Sequence, residues 1–515
     1  MSEAVSLKSS VRQYKDFSKD EDVQVDVAVI GSGAGGAVFA NEMAGAGRSV
    51  LVVEEGRPYE KPDFNRDAVD ISMKLYRQAG ITVAVGAPGV LIPLGKTVGG
   101  TTTINSGTCF RTPDEVVEGW RKSGQTDVTS AELEPFFERI EKTLNIHPVT
   151  YDIMGRNNIL FKEGADKLGH SGFPLKRNYS GCMGSGHCAF GCPENAKMAM
   201  NLSYIPMSIQ KGAKVWADTR ATQILHKNGK AVGLEAVTED PEGKGRSYKV
   251  RVSAKIVALA GGTIPSPYFL LGNHLCNSSG TVGKNLRLHP AAKVMAMFEE
   301  PVYGWRGVPQ SYCVDELHHD GITLEGFFVP PPMVAFALPG FGMEHKEIMA
   351  NFKHLAGFGV MVHDSTAGRV RNVPFMPGPL IQYQINDLDF ERFKKGVAFT
   401  ARTWFAAGAK KVFTPFHSIK ILEKPEEADQ IEKARLKKDE LELIAFHPMG
   451  TCQFGKNPKK SVVNPDLETH DLKNFFVVDG AVFPTSLGVN PQQSIMGFSM
   501  RAAARINENS GKYFA

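Results

Sequence analysis

Val25-Asp26-Val27-Ala28-Val29-Ile30, running straight into Gly31-Ser32-Gly33-Ala34-Gly35-Gly36, is the stretch that decides how this chain folds. Its first half is short, β-branched and nearly all apolar, as a parallel strand covered on both faces reads. The second half fits Gly-x-Gly-x-x-Gly. Gly31 permits a tight turn, Gly33 lets backbone approach a pyrophosphate, and Gly36 lets the following helix pack against the strand. An alanine-rich helical stretch from Ala34 to about Ala46 would then present free N–H groups and the positive end of its dipole to phosphates. The next apolar run, Ser49 to Val53, ends at Glu54, where a carboxylate can hold ribose hydroxyls. This strand–helix–strand unit predicts a dinucleotide site. A carboxylate there disfavours a 2'-phosphate and leaves FAD and NAD both open.

Outward from that unit, residues 60–94 are irregular and Gly95 to Gly107 is glycine-rich. Residues 112–145 show the mixed three- and four-residue spacing of helices, and 212–236 and 248–259 alternate like strands. Ile256 to Ala260 enters Gly261-Gly262 as a further strand of the same sheet would. Residues 293–440 hold aromatic, Pro- and Met-rich text with no cofactor-type glycine loop, which suits a domain covering a substrate. The last seventy or so residues return to turns between apolar strands, including Phe475 to Asp479. The expectation is an α/β chain whose nucleotide domain is discontinuous (20–110, 195–292 and 440–515), with a second domain of β-sheet and helices from 111–194 and 293–439.

A chain of 515 residues predicts two or three domains and a large core. The 59 basic and 55 acidic residues are scattered, so nucleic-acid binding is not expected. No apolar run approaches the roughly 20 residues that cross a bilayer. The polar N-terminus carries no apolar signal core, and the expected location is cytoplasmic.

Of seven cysteines, Cys109, Cys276, Cys313 and Cys452 stand alone and read as small buried hydrophobes. Cys182, Cys188 and Cys192 fall in Gly181-Cys-Met-Gly-Ser-Gly-His-Cys-Ala-Phe-Gly-Cys-Pro193. Thiolates are soft ligands, and glycines let one loop wrap an iron–sulfur cluster. Three ligands suggest a 3Fe-4S cluster, or a 4Fe-4S cluster with one non-cysteine site. Zinc is a rival needing a fourth ligand, and His187 is awkwardly adjacent to Cys188. A disulfide with one free thiol is another.

Six further stretches carry a resemblance. Gly95-Lys-Thr-Val-Gly99-Gly100-Thr101-Thr-Thr-Ile-Asn105 resembles the first signature of the glucose-methanol-choline oxidoreductases. Gly261 to Leu271, then Val282-Gly-Lys-Asn285-Leu-Arg-Leu-His289-Pro290, are similar to the second signature and the turn after it. His447-Pro-Met-Gly450-Thr451, Val478-Asp479-Gly480 and Gly488-Val-Asn490-Pro491 complete the family's order, from about Val25 to Ile506. There are two departures. Gly272-Asn273 replaces the usual Ser-Gly, and Asn490 stands where histidine is frequent in the family, an asparagine that is also familiar in the cholesterol-oxidase-like branch.

The resemblance implies a Rossmann-like FAD-binding domain. Gly31, Gly33, Ala34 and Gly36 would hold the pyrophosphate and Glu54 the ribose. Gly99, Gly100, Thr101 and Asn105 would line the flavin, with Ala221 near the adenine. Asp479 and Gly480 would anchor the ribityl side, and Asn490 and Pro491 would sit beside the isoalloxazine. It also implies that His447 is the base taking the hydroxyl proton of an alcohol and that Asn490 fixes the alcohol oxygen. His289 is expected to be structural. The cysteine segment is similar to that of FAD-dependent glucose and fructose dehydrogenase subunits, which carry a 3Fe-4S cluster, and also to the long-chain alcohol oxidases. A cluster would make the enzyme a dehydrogenase feeding a quinone, cytochrome or carrier protein; without one, an oxygen-using oxidase is the alternative. Phe327, Phe328, Met333, Phe336, Leu338, Phe341, Met343 and Met349 predict either an apolar lid over a hydrophobic alcohol, with a sugar as the rival substrate, or simply core packing.

Overall fold

The computed structural model describes residues 6–514. The strand Glu21–Ile30 lies inside a seven-stranded sheet, parallel to Val50–Val53 on one side and to Tyr248–Leu259 on the other. Val27, Val29, Leu51, Val52 and Val257 are fully buried, which the apolar runs predicted. The strand begins earlier than Val25 because Glu21 to Gln24 pair with Val250 to Ser253, with one side of the ladder in solvent. Along its other edge Tyr248–Leu259 serves two further partners. Its first half pairs antiparallel with Lys230–Thr238, and Val257 to Leu259 pair in parallel with Phe475–Val477. The tail thereby returns to the centre of the nucleotide sheet. The helices Ala34–Gly45 and Gln492–Glu508 cross this sheet so closely that a Cβ on Gly35 would sit 1.6 Å from the Val478 carbonyl oxygen.

A second, ten-stranded sheet is built around the antiparallel strands Pro290–Met297, Leu355–Val362 and Ile322–Gly326. The helices Arg156–Leu168 and Asp387–Ala406 back it, and Phe161, Phe358 and Trp404 interlock at their junction. Separate clusters of buried side chains fill the two layers.

The expected domain boundaries shift at four places. The helices Asp114–Lys122 and Ser130–Leu144 fall in the stretch expected to form the cap. Their buried residues Trp120, Leu133, Phe137 and Ile140 instead join the nucleotide-domain core, against Gln492–Glu508. Periodicity exposes an apolar face but does not say which partner covers it. Conversely, Val83–Ala84, Val90–Leu91 and Leu443–Ala445 belong to the second sheet, as does the strand opening at Pro290. These crossings put residue 447 immediately after a strand of the cap sheet. Among the described residues no helix is long and apolar enough to cross a membrane.

Candidate active site

A cavity of about 1380 Å³ runs between the two sheets. Drug-sized pockets span roughly 300–1,000 Å³, so this one has room for a dinucleotide with a second small molecule beside it. One end is made by Gly31, Gly33, Ala34 and Glu54. The helix Ala34–Gly45 has no side-chain cap, and its first N–H groups face this end. Gly31 has φ +95°, and a Cβ there would lie 2.4 Å from the Ala260 carbonyl oxygen. Gly36 lies behind the lining, where a Cβ would meet the Gly31 carbonyl at 2.1 Å; its work is helix–strand packing. A buried phosphate cradle of bare backbone fits a dinucleotide.

Glu54 lies at the cavity wall but is also committed to its own chain. Ser32 N–H and Oγ donate to Oε2 at 2.9 and 2.7 Å, and Gly56 N–H donates to Oε1 at 2.8 Å. Burial pushes this carboxyl up to about 6, with the nearby Glu55 charge adding to the shift. Ala221 lines the same end. Gly100, Thr101 and Asn105 line the middle, and Asp479, Gly480 and Pro491 the opposite wall. Gly99 is the exception among the expected flavin-lining residues. Its N–H donates to Ser32 Oγ at 2.9 Å, so it fastens one glycine loop to the other from behind. Asp479 caps the next turn through Ala481 N–H and accepts from Gly262 N–H and Ser266 Oγ, tying the tail to the second signature.

His447 and Asn490 meet in this cavity from separate elements. His447 follows the cap strand Leu443–Ala445, and Asn490 ends the loop before helix Gln492–Glu508. His447 Nε2 lies 3.2 Å from Asn490 Nδ2. An amide NH2 only donates, so Nε2 is the accepting nitrogen. Burial pushes the imidazole down to about 4, leaving it neutral near pH 7. His447 Nδ1 and Asn490 Oδ1 are buried without a partner.

His289, only 1% exposed, holds the loop that carries Asn490. Its Nε2 accepts from Leu487 N–H at 3.1 Å and Gly488 N–H at 2.9 Å, which fixes its proton on Nδ1. Its ring stands edge-on to His447 with centroids 5.5 Å apart. Beneath it, Asp364 accepts from Leu288 N–H, His289 N–H, Tyr383 Oη–H and Ser486 Oγ–H, closing the support.

Two polar side chains in the cavity wall escaped the sequence reading. Glu325 Oε2 accepts from Gln310 Nε2 at 2.6 Å and Asn490 Nδ2 at 3.3 Å, while Oε1 has no partner. Burial pushes this carboxyl up to about 7. The signal available was one glutamate inside the otherwise apolar run Ile322-Thr-Leu-Glu-Gly326. Of the expected apolar lid, Phe327, Phe328, Met333 and Phe336 line the cavity. Leu338 and Met349 pack in the same cluster as Phe327 and Phe328, and Phe336, Phe341 and Met343 are exposed.

Cys182, Cys188 and Cys192 lie on a loop behind the Asn105 turn. Among the described residues no three His, Cys, Asp or Glu side chains come together as a set that could hold a metal ion, so the expected ligand trio is not gathered here. Each sulfur nevertheless has a donor: Gly184 N–H on Cys182 at 3.5 Å, Arg177 Nη2 on Cys188 at 3.2 Å and Ala196 N–H on Cys192 at 3.2 Å. Arg177 and Lys197, 2% and 4% exposed, make no carboxylate ion pair among the described residues. Lys197 Nζ donates to the carbonyls of Thr103, Asn105 and Cys188. Cys109, Cys276, Cys313 and Cys452 are free and buried, as expected.

Residues 72–291 and 366–499 match the two GMC oxidoreductase family domains, and residues 26–98 match the pyridine nucleotide-disulphide oxidoreductase family. The chain is 36% identical over 493 residues to an uncharacterized GMC-type oxidoreductase of Mycobacterium tuberculosis, covering 93% of this chain and 75% of the relative. It is 26% identical over 508 residues to a long-chain-alcohol oxidase of Arabidopsis thaliana, covering 93% of this chain and 68% of that one. A 2-methyl-1,2-propanediol dehydrogenase of Mycolicibacterium austroafricanum is 25% identical, with 94% and 95% covered. In fold, the chain superposes on pyridoxine 4-oxidase from Mesorbium loti with a TM-score of 0.71 at 16% identity, covering 94% and 99% of the two chains.

Proposed function

We propose, from the premise that this chain belongs to the GMC oxidoreductase family, that it is an FAD-dependent oxidoreductase acting on a CH–OH group, with His447 as base and Asn490 as the anchor of the alcohol oxygen. The observation that carries the reading is the 3.2 Å approach of His447 Nε2 to Asn490 Nδ2 in the wall of the dinucleotide-sized cavity. An oxygen placed within hydrogen-bond reach of both atoms accepts from the amide and donates to the imidazole, the arrangement that removes a hydroxyl proton. FAD bound along Gly31 to Gly36 supplies the acceptor of the carbinol hydride. The chain's own contributions are the neutral base, the fixed amide and an apolar wall that excludes water.

The substrate reading is a hydrophobic alcohol. It rests on Phe327, Phe328 and Met333, which give that wall apolar surface where a sugar would need several fixed polar groups. Anaerobic bleaching of the flavin band by a series of primary alcohols tests both parts. Bleaching that strengthens with chain length is the expected result; bleaching by glucose or fructose alone overturns the substrate class, and bleaching by no alcohol overturns the reaction.

For the electrons, our reading is that Cys182, Cys188 and Cys192 would hold an iron–sulfur cluster, which would supply a one-electron route to a quinone or carrier protein. Its support is chemical: soft sulfurs, an N–H donor at each, and the buried cations Arg177 and Lys197 beside anionic ligands. The ungathered trio favours the second reading, an oxygen-using oxidase with a structural cysteine loop. Iron and sulfide analysis of anaerobically purified protein decides between them. Iron that disappears in Cys182→Ser and Cys188→Ser with FAD retained supports the cluster; iron-free protein that releases peroxide overturns it.

A further inference from the structure

Glu325 belongs to a strand, Ile322–Gly326, that is buried at every residue, and its side chain is in no ion pair among the described residues. Across its ladder stand Cys313 on one side and Gly359 on the other, so no cation faces it from either neighbouring strand. The groups its carboxylate does meet are amides, Gln310 and Asn490, and beyond Asn490 lies His447. A carboxyl placed without a cation in an apolar layer is costly to keep charged. Its position one amide away from the proposed base gives that cost a use.

The two ends of an asparagine amide have nearly the same shape, so only their partners decide which end faces the cavity. Asn490 Nδ2 faces two acceptors, Glu325 Oε2 and His447 Nε2, while Oδ1 has no partner. With the amide reversed, Oδ1 would face the carboxylate oxygen, which is repulsive. We propose that Glu325 is a positioning residue of the active site, whose carboxylate holds the Asn490 amide with its N–H toward the alcohol oxygen and balances the charge that His447 gains when it takes the alcohol proton. This inference rests on the proposed reaction. In that step the alcohol O–H bond breaks, its proton moves to His447 Nε2, and the carbinol hydride pair leaves to FAD. The Glu325, Asn490 and His447 group then passes from one negative charge to none.

Glu325 is the group of this wall that titrates near neutrality, at about 7. His447 lies at about 4, His289 is held well below its usual range, and the Cys313 thiol is pushed far up by burial. Glu54, at about 6, is at the other end of the cavity, and Lys197, at about 8, lies behind the Asn105 turn. Flavin reduction should therefore rise with pH through about 7 as Glu325 ionises.

The test is stopped-flow reduction of the FAD-loaded full chain by a bleaching alcohol, across pH. Glu325→Gln should keep its FAD, lower the limiting reduction constant on the order of tenfold to a hundredfold, as misplacement of a reacting group does, and abolish the inflection. Gln310→Leu removes one donor from the carboxylate and should move the inflection to higher pH, a shift that a role in stability alone does not produce. If Glu325→Gln reduces at the wild-type rate with the inflection intact, or Gln310→Leu leaves the inflection in place, the assignment is overturned. Failure of the reaction itself is distinguishable, because then the wild-type protein is not bleached at all.

Discussion

Replacing His447 by glutamine separates proton removal from everything else the residue does. A glutamine side chain reaches about as far, and its amide oxygen can keep the contact with Asn490 Nδ2, at 3.2 Å in the native chain. Nothing bonded to Nδ1 is lost, because that nitrogen has no partner. The fold, the FAD cavity and the Asn490 loop, which His289 holds independently, should all persist. The variant cannot accept a proton. With the native imidazole at about 4, practically every molecule carries the base form at pH 7.5, so the contribution of general base catalysis is not limited by protonation, although a base this weak draws the proton less strongly than an ordinary imidazole. That contribution is on the order of 10²–10⁴ in rate, or about 3–5.5 kcal/mol of barrier. Anaerobic stopped-flow reduction at saturating alcohol reads it directly. A reduction constant within about threefold of the native value, about 0.7 kcal/mol or less, with FAD fully bound, would refute the role of His447.

The same substitution has a second signature in stability. A buried histidine held at about 4 against 6.5 in the open chain takes up protons later than the unfolded state does as pH falls. It therefore contributes stability above about 6.5 that is lost as pH drops toward 4, and His447→Gln should flatten the urea-midpoint profile across that window; an unchanged profile contradicts the burial argument. Gly100→Ala puts a side chain at φ +55° with its Cβ 2.8 Å from the Gly33 Cα, pushing one cofactor loop off the other. The left-handed conformation alone costs about 1–2 kcal/mol. FAD should be held at least about tenfold more weakly, measured by flavin fluorescence on dilution, and an unchanged Kd would show that the two loops do not cooperate. Asp389 accepts from Ser365 and Thr366 and pairs with Arg392, contacts that hold its carboxyl below the usual range despite burial. Its stabilisation is present above the ordinary carboxylate range and lost as pH falls below that range through the depressed folded value; Asp389→Asn should cost about 2–4 kcal/mol in urea unfolding at pH 7, and a cost near zero refutes a stabilising role for that carboxylate.

What could be read from sequence was local. Strand, glycine turn, helix and answering glutamate lie within thirty residues, so spacing alone reports the dinucleotide unit. His447 and Asn490 were legible through their motifs, although periodicity says nothing of their meeting. Their approach depends on a cap-sheet strand at Leu443–Ala445 and on a helix that returns to the nucleotide core. Glu325 and Gln310 were hidden for the same reason, since they reach the cavity across a sheet whose register no local pattern records. The helices at 114–144 were visible as amphipathic, but their partner, Gln492–Glu508, lies some 350 residues away. The cysteine loop shows the converse limit, because its spacing suggests ligation while its sulfurs are not gathered into a ligand set.

The most direct test is a crystal structure of the FAD-loaded chain with a slowly reacting or inhibitory alcohol bound. The account predicts the hydroxyl oxygen within hydrogen-bond distance, about 3 Å, of both His447 Nε2 and Asn490 Nδ2, with its carbon chain against Phe327 and Phe328. An alcohol seated elsewhere in the cavity, with those two side chains still bonded to each other, contradicts it.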